Sequence, residues 1–245
     1  MRVSKSWNVT QKDFKVFLKR KNVIVSLVAL PLFISILLSF VVEFTLQRGN
    51  GSGTAELLTF LPSFTFYFAI IAAILPITIA SYSLVGEKVE KSLEPLLAAP
   101  MTDEEILLGK GIAAFLPPIL ATYLGVCIFV VSTDILTYST FGYQYFPNLE
   151  TSAILALLVP LSAIMSIEVN VMISSRVSDV RVSQQLGFLA VLPMAGDYLA
   201  SELNVISLST INLFVISGAL LIVDIFLLYM GRSTFNRDEI LTKWK

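Results

Sequence analysis

Six stretches of this sequence are apolar for long enough to cross the ~30 Å hydrocarbon core of a bilayer at about 1.5 Å of rise per residue. They lie at about 23–44, 63–85, 111–131, 151–173, 186–200 and 210–231. Backbone amides and carbonyls find no water in that medium, so each stretch must satisfy them internally as an α-helix. Composition agrees: 56% of the 245 residues are apolar and 14% are charged, against about 25% charged in soluble domains. The stretch at 186–200 is the shortest and carries Pro193, then Gly196 and Asp197. A re-entrant or interfacial continuation through Leu203 to Leu208 suits it better than a straight span. Pro76, Pro160, Pro193 and the Pro117-Pro118 pair predict kinks, because neighbouring helices can satisfy the carbonyls that proline frees.

Loop charge sets the orientation. With the N-terminus inside, sixteen lysines and arginines fall on inner segments and only Arg48 falls outside, as the positive-inside rule requires. The expected fold is an all-α membrane protein with six transmembrane helices, both termini cytoplasmic, in the cytoplasmic membrane. Its outer loops are short, and the basic start lacks a small-residue cleavage site, so the first apolar run is expected to stay as an anchor. Trp7, Phe14, Phe17 and Leu18 recur at helical spacing with Lys5, Lys12, Lys15 and Lys19 on other faces, which predicts an amphipathic helix in the inner interface. The chain divides into that helix at 1–22, a transmembrane domain at 23–231 and a cytoplasmic tail at 232–245.

Several chemistries are excluded. The sequence has no histidine and one cysteine, Cys127, which removes imidazole catalysis, histidine-based metal sites and internal disulfides. No metal site is expected. A net charge of −1, with the basic residues sorted by membrane side, gives no nucleic-acid patch. No G-x-x-x-x-G-K-S/T phosphate loop occurs, and Gly109-Lys110-Gly111 lacks both its spacing and its hydroxyl.

The inner segment from Gly86 to Lys110 carries the most information. Thr102 and Glu105 form a capping box, and Asp103 and Glu104 place negative charge at the positive end of the short helix they start. Leu93, Leu96, Leu97 and Met101 have no lipid role there and suit a docking contact for a soluble partner; a well-capped loop fits the pattern as well. The segment resembles the signature of ABC-2 type permeases of ABC transporters, Gly86-Glu87-Lys88 followed by Ser92-Leu93-Glu94, Leu96-Leu97, Pro100, Glu105-Ile106 and Gly109-Lys110. A second stretch, Ile173 to Leu186 with Arg176, Asp179 and Arg181, resembles the family's link between its fourth and fifth spans.

The resemblance implies a cytoplasmic coupling helix between spans 2 and 3 that inserts into an ATP-binding subunit. Its contact residues would be Glu87, Lys88, Leu93, Glu94, Leu96, Leu97, Pro100, Met101 and Glu105. The chain itself is then not an enzyme and binds no cofactor; ATP and Mg belong to the partner. It further implies two permease copies, as a homodimer or related heterodimer, two ATP-binding subunits, and export.

Glu168 and Asp224 are carboxylates within spans, about 8 to 10 Å from the inner boundary at 1.5 Å per residue. An intramembrane acid is by default a functional hypothesis, and these two would serve the main alternative, an ion-coupled secondary transporter. Ser162, Ser166 and Asn170 at i, i+4 and i+8 form a polar stripe suited to packing or to a permease interface. A membrane enzyme is disfavoured for want of a nucleophile and base, and a non-transporting scaffold stays open.

Overall fold

The computed structural model describes residues 3–19, 21–48, 53–89, 102–203 and 205–234. Among these residues all regular structure is helical. We label the helices α1 (Val3–Lys19), α2 (Lys21–Arg48), α3 (Gly53–Ser81), α4 (Asp103–Phe141), α5 (Leu149–Arg176), α6 (Val180–Gly187), α7 (Leu192–Glu202) and α8 (Thr210–Thr234). A π-helical turn, Tyr82–Gly86, and a short α turn, Glu87–Val89, extend α3.

Five helices, α2, α3, α4, α5 and α8, are long and apolar enough to cross a membrane. They pack inside out relative to a soluble bundle. α3 is central and 72% of its apolar window is buried, whereas α2 and α8 are 28% and 22% buried and present Phe33, Phe40, Ile211 and Tyr229 outward. Apolar side chains exposed on that scale need lipid around them. α3 packs on α5, α4 and α2, and α8 packs mainly on α5.

Polar seams between spans hold backbones close, as small residues do in bilayers. Where α2 crosses α4, Ser35 Oγ lies 2.7 Å from the Gly125 carbonyl, and a Cβ on Gly125 would fall 2.8 Å from Pro31 Cβ. Between α5 and α3, Ser162 Oγ donates to the Ala69 carbonyl at 2.9 Å and Ser166 Oγ donates to that of Ala73. The stripe of Ser162, Ser166 and Asn170 thus faces α3 and is buried.

The structure differs from sequence expectation in three places. First, the helix capped by Thr102 is not a short surface helix: it runs unbroken for 39 residues to Phe141, where Gly142 at φ 73° ends it. Thr137 Oγ1 and Ser132 Oγ bond carbonyls one turn back, which satisfies these hydroxyls inside the helix through the polar run after Val131. Second, the fifth stretch is a succession of α6, a 3-10 turn at Phe188–Val191 and α7, each too short to count as a spanning helix alone. Pro193 lies at the start of α7, where it cannot serve as a donor to the preceding turn. Third, α1 buries Ser6, Val9, Thr10, Asp13 and Phe17, largely against α4, while Trp7 is 49% exposed. Of the described side chains in the stripe expected to face lipid, Phe17 is buried by the chain itself, Phe14 is half-buried and Trp7 is exposed.

A second π turn, Ile154–Leu158, lies within α5. In each π turn the carbonyl of the second residue accepts from a side chain of α4: Ser83 from Lys110 Nζ at 2.7 Å, and Leu155 from Tyr123 Oη at 2.7 Å. Such turns interrupt the regular ladder and often mark functional places.

Candidate functional site

α4 begins with both arms of its capping box in place: Glu105 N–H donates to Thr102 Oγ1 at 3.3 Å and Thr102 N–H donates to Glu105 Oε2 at 3.2 Å. This fixes the helix's first turn, and two turns on it delivers Gly109 and Lys110 to the seam between α1 and the end of α3. Lys110 is 2% exposed. Its ammonium meets Glu87 Oε2 at 2.6 Å, the Ser83 carbonyl at 2.7 Å, Ser83 Oγ at 3.2 Å and Asp13 Oδ2 at 3.5 Å. Ser83 Oγ in turn donates to Asp13 Oδ2 at 2.9 Å. At the rim, Lys12 Nζ pairs with Glu87 Oε1 at 2.7 Å. Two lysines therefore balance two carboxylates, and every charge in the group has a partner, which is the condition for burying charge at tolerable cost.

Gly109 lets this happen. A Cβ there would sit 2.6 Å from the Ser6 carbonyl oxygen and 2.8 Å from Val9 Cβ. The close approach also places Thr10 Oγ1 2.9 Å from the Gly109 carbonyl. Asp13 and Thr10 were not singled out from sequence; a stripe of short polar side chains, Ser6, Thr10 and Asp13 at spacings of four and three, is the signal for a second packed face on α1.

Of the residues expected to contact an ATPase, Glu87 and Glu105 turn toward their own chain, in the Lys110 pair and the capping box respectively. The Lys88 side chain and Leu93, Glu94, Leu96, Leu97, Pro100 and Met101 lie outside the described residues. Arg176, Asp179 and Arg181 are exposed around the turn from α5 to α6, where Asp179 Oδ1 accepts from Arg181 N–H at 2.7 Å and so caps α6.

Asn170 sits where α5 meets α3 and α6. Its Oδ1 accepts from Ser174 Oγ at 2.9 Å and Ser81 Oγ at 3.1 Å, with Ser183 Oγ at 3.3 Å. Gly187 leaves room for it, since a Cβ there would fall 2.4 Å from Asn170 Nδ2. Asn170 therefore joins three helices. Glu168 and Asp224 lie on helices α5 and α8, which pack together, and their four carboxylate oxygens are buried without a hydrogen-bond partner among the described residues. Glu168 borders a cavity of about 370 Å³ between α4, α5 and α8.

Five helices able to span a membrane, four of them arranged about the central α3, with a buried lysine paired to carboxylates at the end of α3, define a polytopic helical membrane protein. The family model described as "ABC-2 family transporter protein" matches residues 7–215, and the chain belongs to that family of ABC transporter membrane components. Members of that family are the membrane components of ABC transporters and not their ATPases, and the chain is a permease of this type. No curated protein matches it significantly.

Proposed function

We propose that this chain is the permease of an ATP-driven exporter in the cytoplasmic membrane. Two copies, identical or related, would join two ATP-binding subunits that hold ATP and Mg. Six spans, with α6 to α7 as the broken fifth, place both termini and the 90–101 segment in the cytoplasm. That segment is the coupling helix, Leu93, Glu94, Leu96, Leu97, Pro100 and Met101 its contacts, and Arg176, Asp179 and Arg181 flank it on the next inner turn. α1 lies along the inner interface with Trp7 toward the headgroups.

The family match over residues 7–215 carries this reading. The Lys110–Glu87 pair supports it physically: these two residues bracket the segment, and their 2.6 Å contact ties both of its roots to α1, α3 and α4 together. A pull applied to the segment by an ATPase would reach three helices at once. Glu168 and Asp224 would also suit ion-coupled transport, but the family's energy source lies in its ATPase, and Glu168→Gln with Asp224→Asn tests the alternative: transport driven without ATPase and lost in both variants would favour it.

The test of the main reading is co-purification of an ATP-binding subunit, encoded beside this gene, with the chain in detergent. Glu94→Ala, or deletion of Leu96-Leu97, is expected to uncouple ATP hydrolysis from transport while membrane insertion persists. Transport unchanged after disruption of the whole 93–101 segment would overturn the coupling assignment.

A further inference from the structure

The cavity between the first turns of α4, the C-terminal half of α5 and the last turns of α8 falls within the size range of small-molecule sites. Leu108, Ile112, Phe115, Ile164, Ile167 and Leu227 give it apolar walls. Into this wall is set Glu168, with both oxygens buried and unpartnered. Asp224, one helical turn before Leu227 on α8, which packs against α5, is 4% exposed and has no hydrogen-bond partner at either oxygen among the described residues. Among the described residues, no lysine or arginine lines the cavity. Elsewhere in the chain the same residue types are treated differently: Asp13 and Glu87 are buried only with lysine beside them.

We propose that this cavity binds an amphipathic organic cation, with its positive group on Glu168, Asp224 behind it, and its apolar body against the α4 and α5 walls. Charge complementarity decides among occupants. An inorganic cation would leave the apolar wall uncovered, and an anionic lipophile would be repelled by the acids, whereas a cation can take the place of a proton on Glu168. Glu104, on the first turn of α4 at the cavity's edge, adds negative charge along the approach. The site rests on the permease reading as the class of compound carried, but its occupancy can be measured on the chain alone.

The experiment is equilibrium binding of radiolabelled tetraphenylphosphonium to the full chain in lipid nanodiscs, with empty nanodiscs subtracting bilayer partition and tetraphenylborate as the anion of matching shape. Saturable binding of the cation and none of the anion is expected. Glu168→Gln should weaken the cation by about tenfold or more, as loss of one charged contact does, and Ile112→Trp, which fills the cavity from another wall, should abolish binding. Saturable binding that neither variant changes, equal binding of the anion, or no saturable binding by monodisperse wild type would each overturn the site. Co-purification with the ATP-binding subunit is scored on the same preparations: if it persists while cation binding fails, the permease reading stands and the site falls.

Discussion

Lys110 Nζ and Glu87 Oε2 lie 2.6 Å apart and join the two ends of the chain's most distinctive segment. The contact is shielded from water on the lysine side and is backed by Ser83 and Asp13. In sequence both residues look like ordinary loop charges at an inner surface. In the fold they close the base of the bundle.

Replacing Lys110 by Met should therefore destabilise the protein by ~3–5 kcal/mol, the range for leaving buried partners uncompensated. Lys12→Ala removes only a rim contact, its side chain being 44% exposed, and should cost under about 1 kcal/mol. Thermal denaturation of the two variants in mild detergent compares them directly. Equal midpoints would mean that the buried pair does not hold the base together.

Gly109→Ala should loosen α1, because the new methyl would meet a backbone oxygen that cannot rotate away. Gly111→Ala is the matched control: nothing lies within 4 Å of its Cβ, and alanine's helix propensity favours it by about 1 kcal/mol. Limited trypsin digestion at Lys12, Lys15 and Lys19 is expected to accelerate in the first variant and not in the second.

Asn170 and Gly187 should be energetically coupled. Gly187→Ala drives a methyl into the Asn170 amide and toward Ile77, and Asn170→Ala removes the acceptor shared by Ser81, Ser174 and Ser183 while opening space. The double variant should be more stable than the sum of the singles by at least ~1 kcal/mol, the scale for side chains in direct contact. Additive losses in a double-mutant cycle would refute the contact.

The broken segment from α6 to α7 can be placed by labelling. In a Cys127→Ala background, Ser178→Cys and Val205→Cys flank it. A membrane-impermeant maleimide should reach them from opposite sides if the segment crosses. Labelling from one side only would make it re-entrant and put the chain's two ends on opposite faces.

How far the fold could be read from sequence follows from the solvent. Lipid forces spans to be apolar, so α2, α3, α5 and α8 stand out, and the Thr102 capping box was legible because its four-residue spacing is local. Hydropathy could not show that α4 continues past Val131, since Ser132 and Thr137 lower the apolar content while their hydroxyls are satisfied within the helix. Nor could it find the second face of α1, where Thr10 and Asp13 are buried only because α4 supplies Gly109 and Lys110. Glu168 and Asp224 were each recognisable as acids within spans, but that α8, which carries Asp224, walls the cavity that Glu168 borders depends on α5 and α8 being neighbours, which no local pattern encodes.

At 39 residues, α4 is about 58 Å long, nearly twice the ~30 Å of hydrocarbon it crosses. It is keyed into a π turn on α3 by Lys110 and into one on α5 by Tyr123, thirteen residues or ~20 Å further along. Sliding α4 along its axis would draw both side chains from their sockets together, so α3, α4 and α5 must travel as a single block. α8, lightly buried and outside that block, packs mainly on α5 and contributes Leu227, Leu228 and Gly231 to the wall of the cavity beside Glu168, so a displacement of α8 against the block would change that volume.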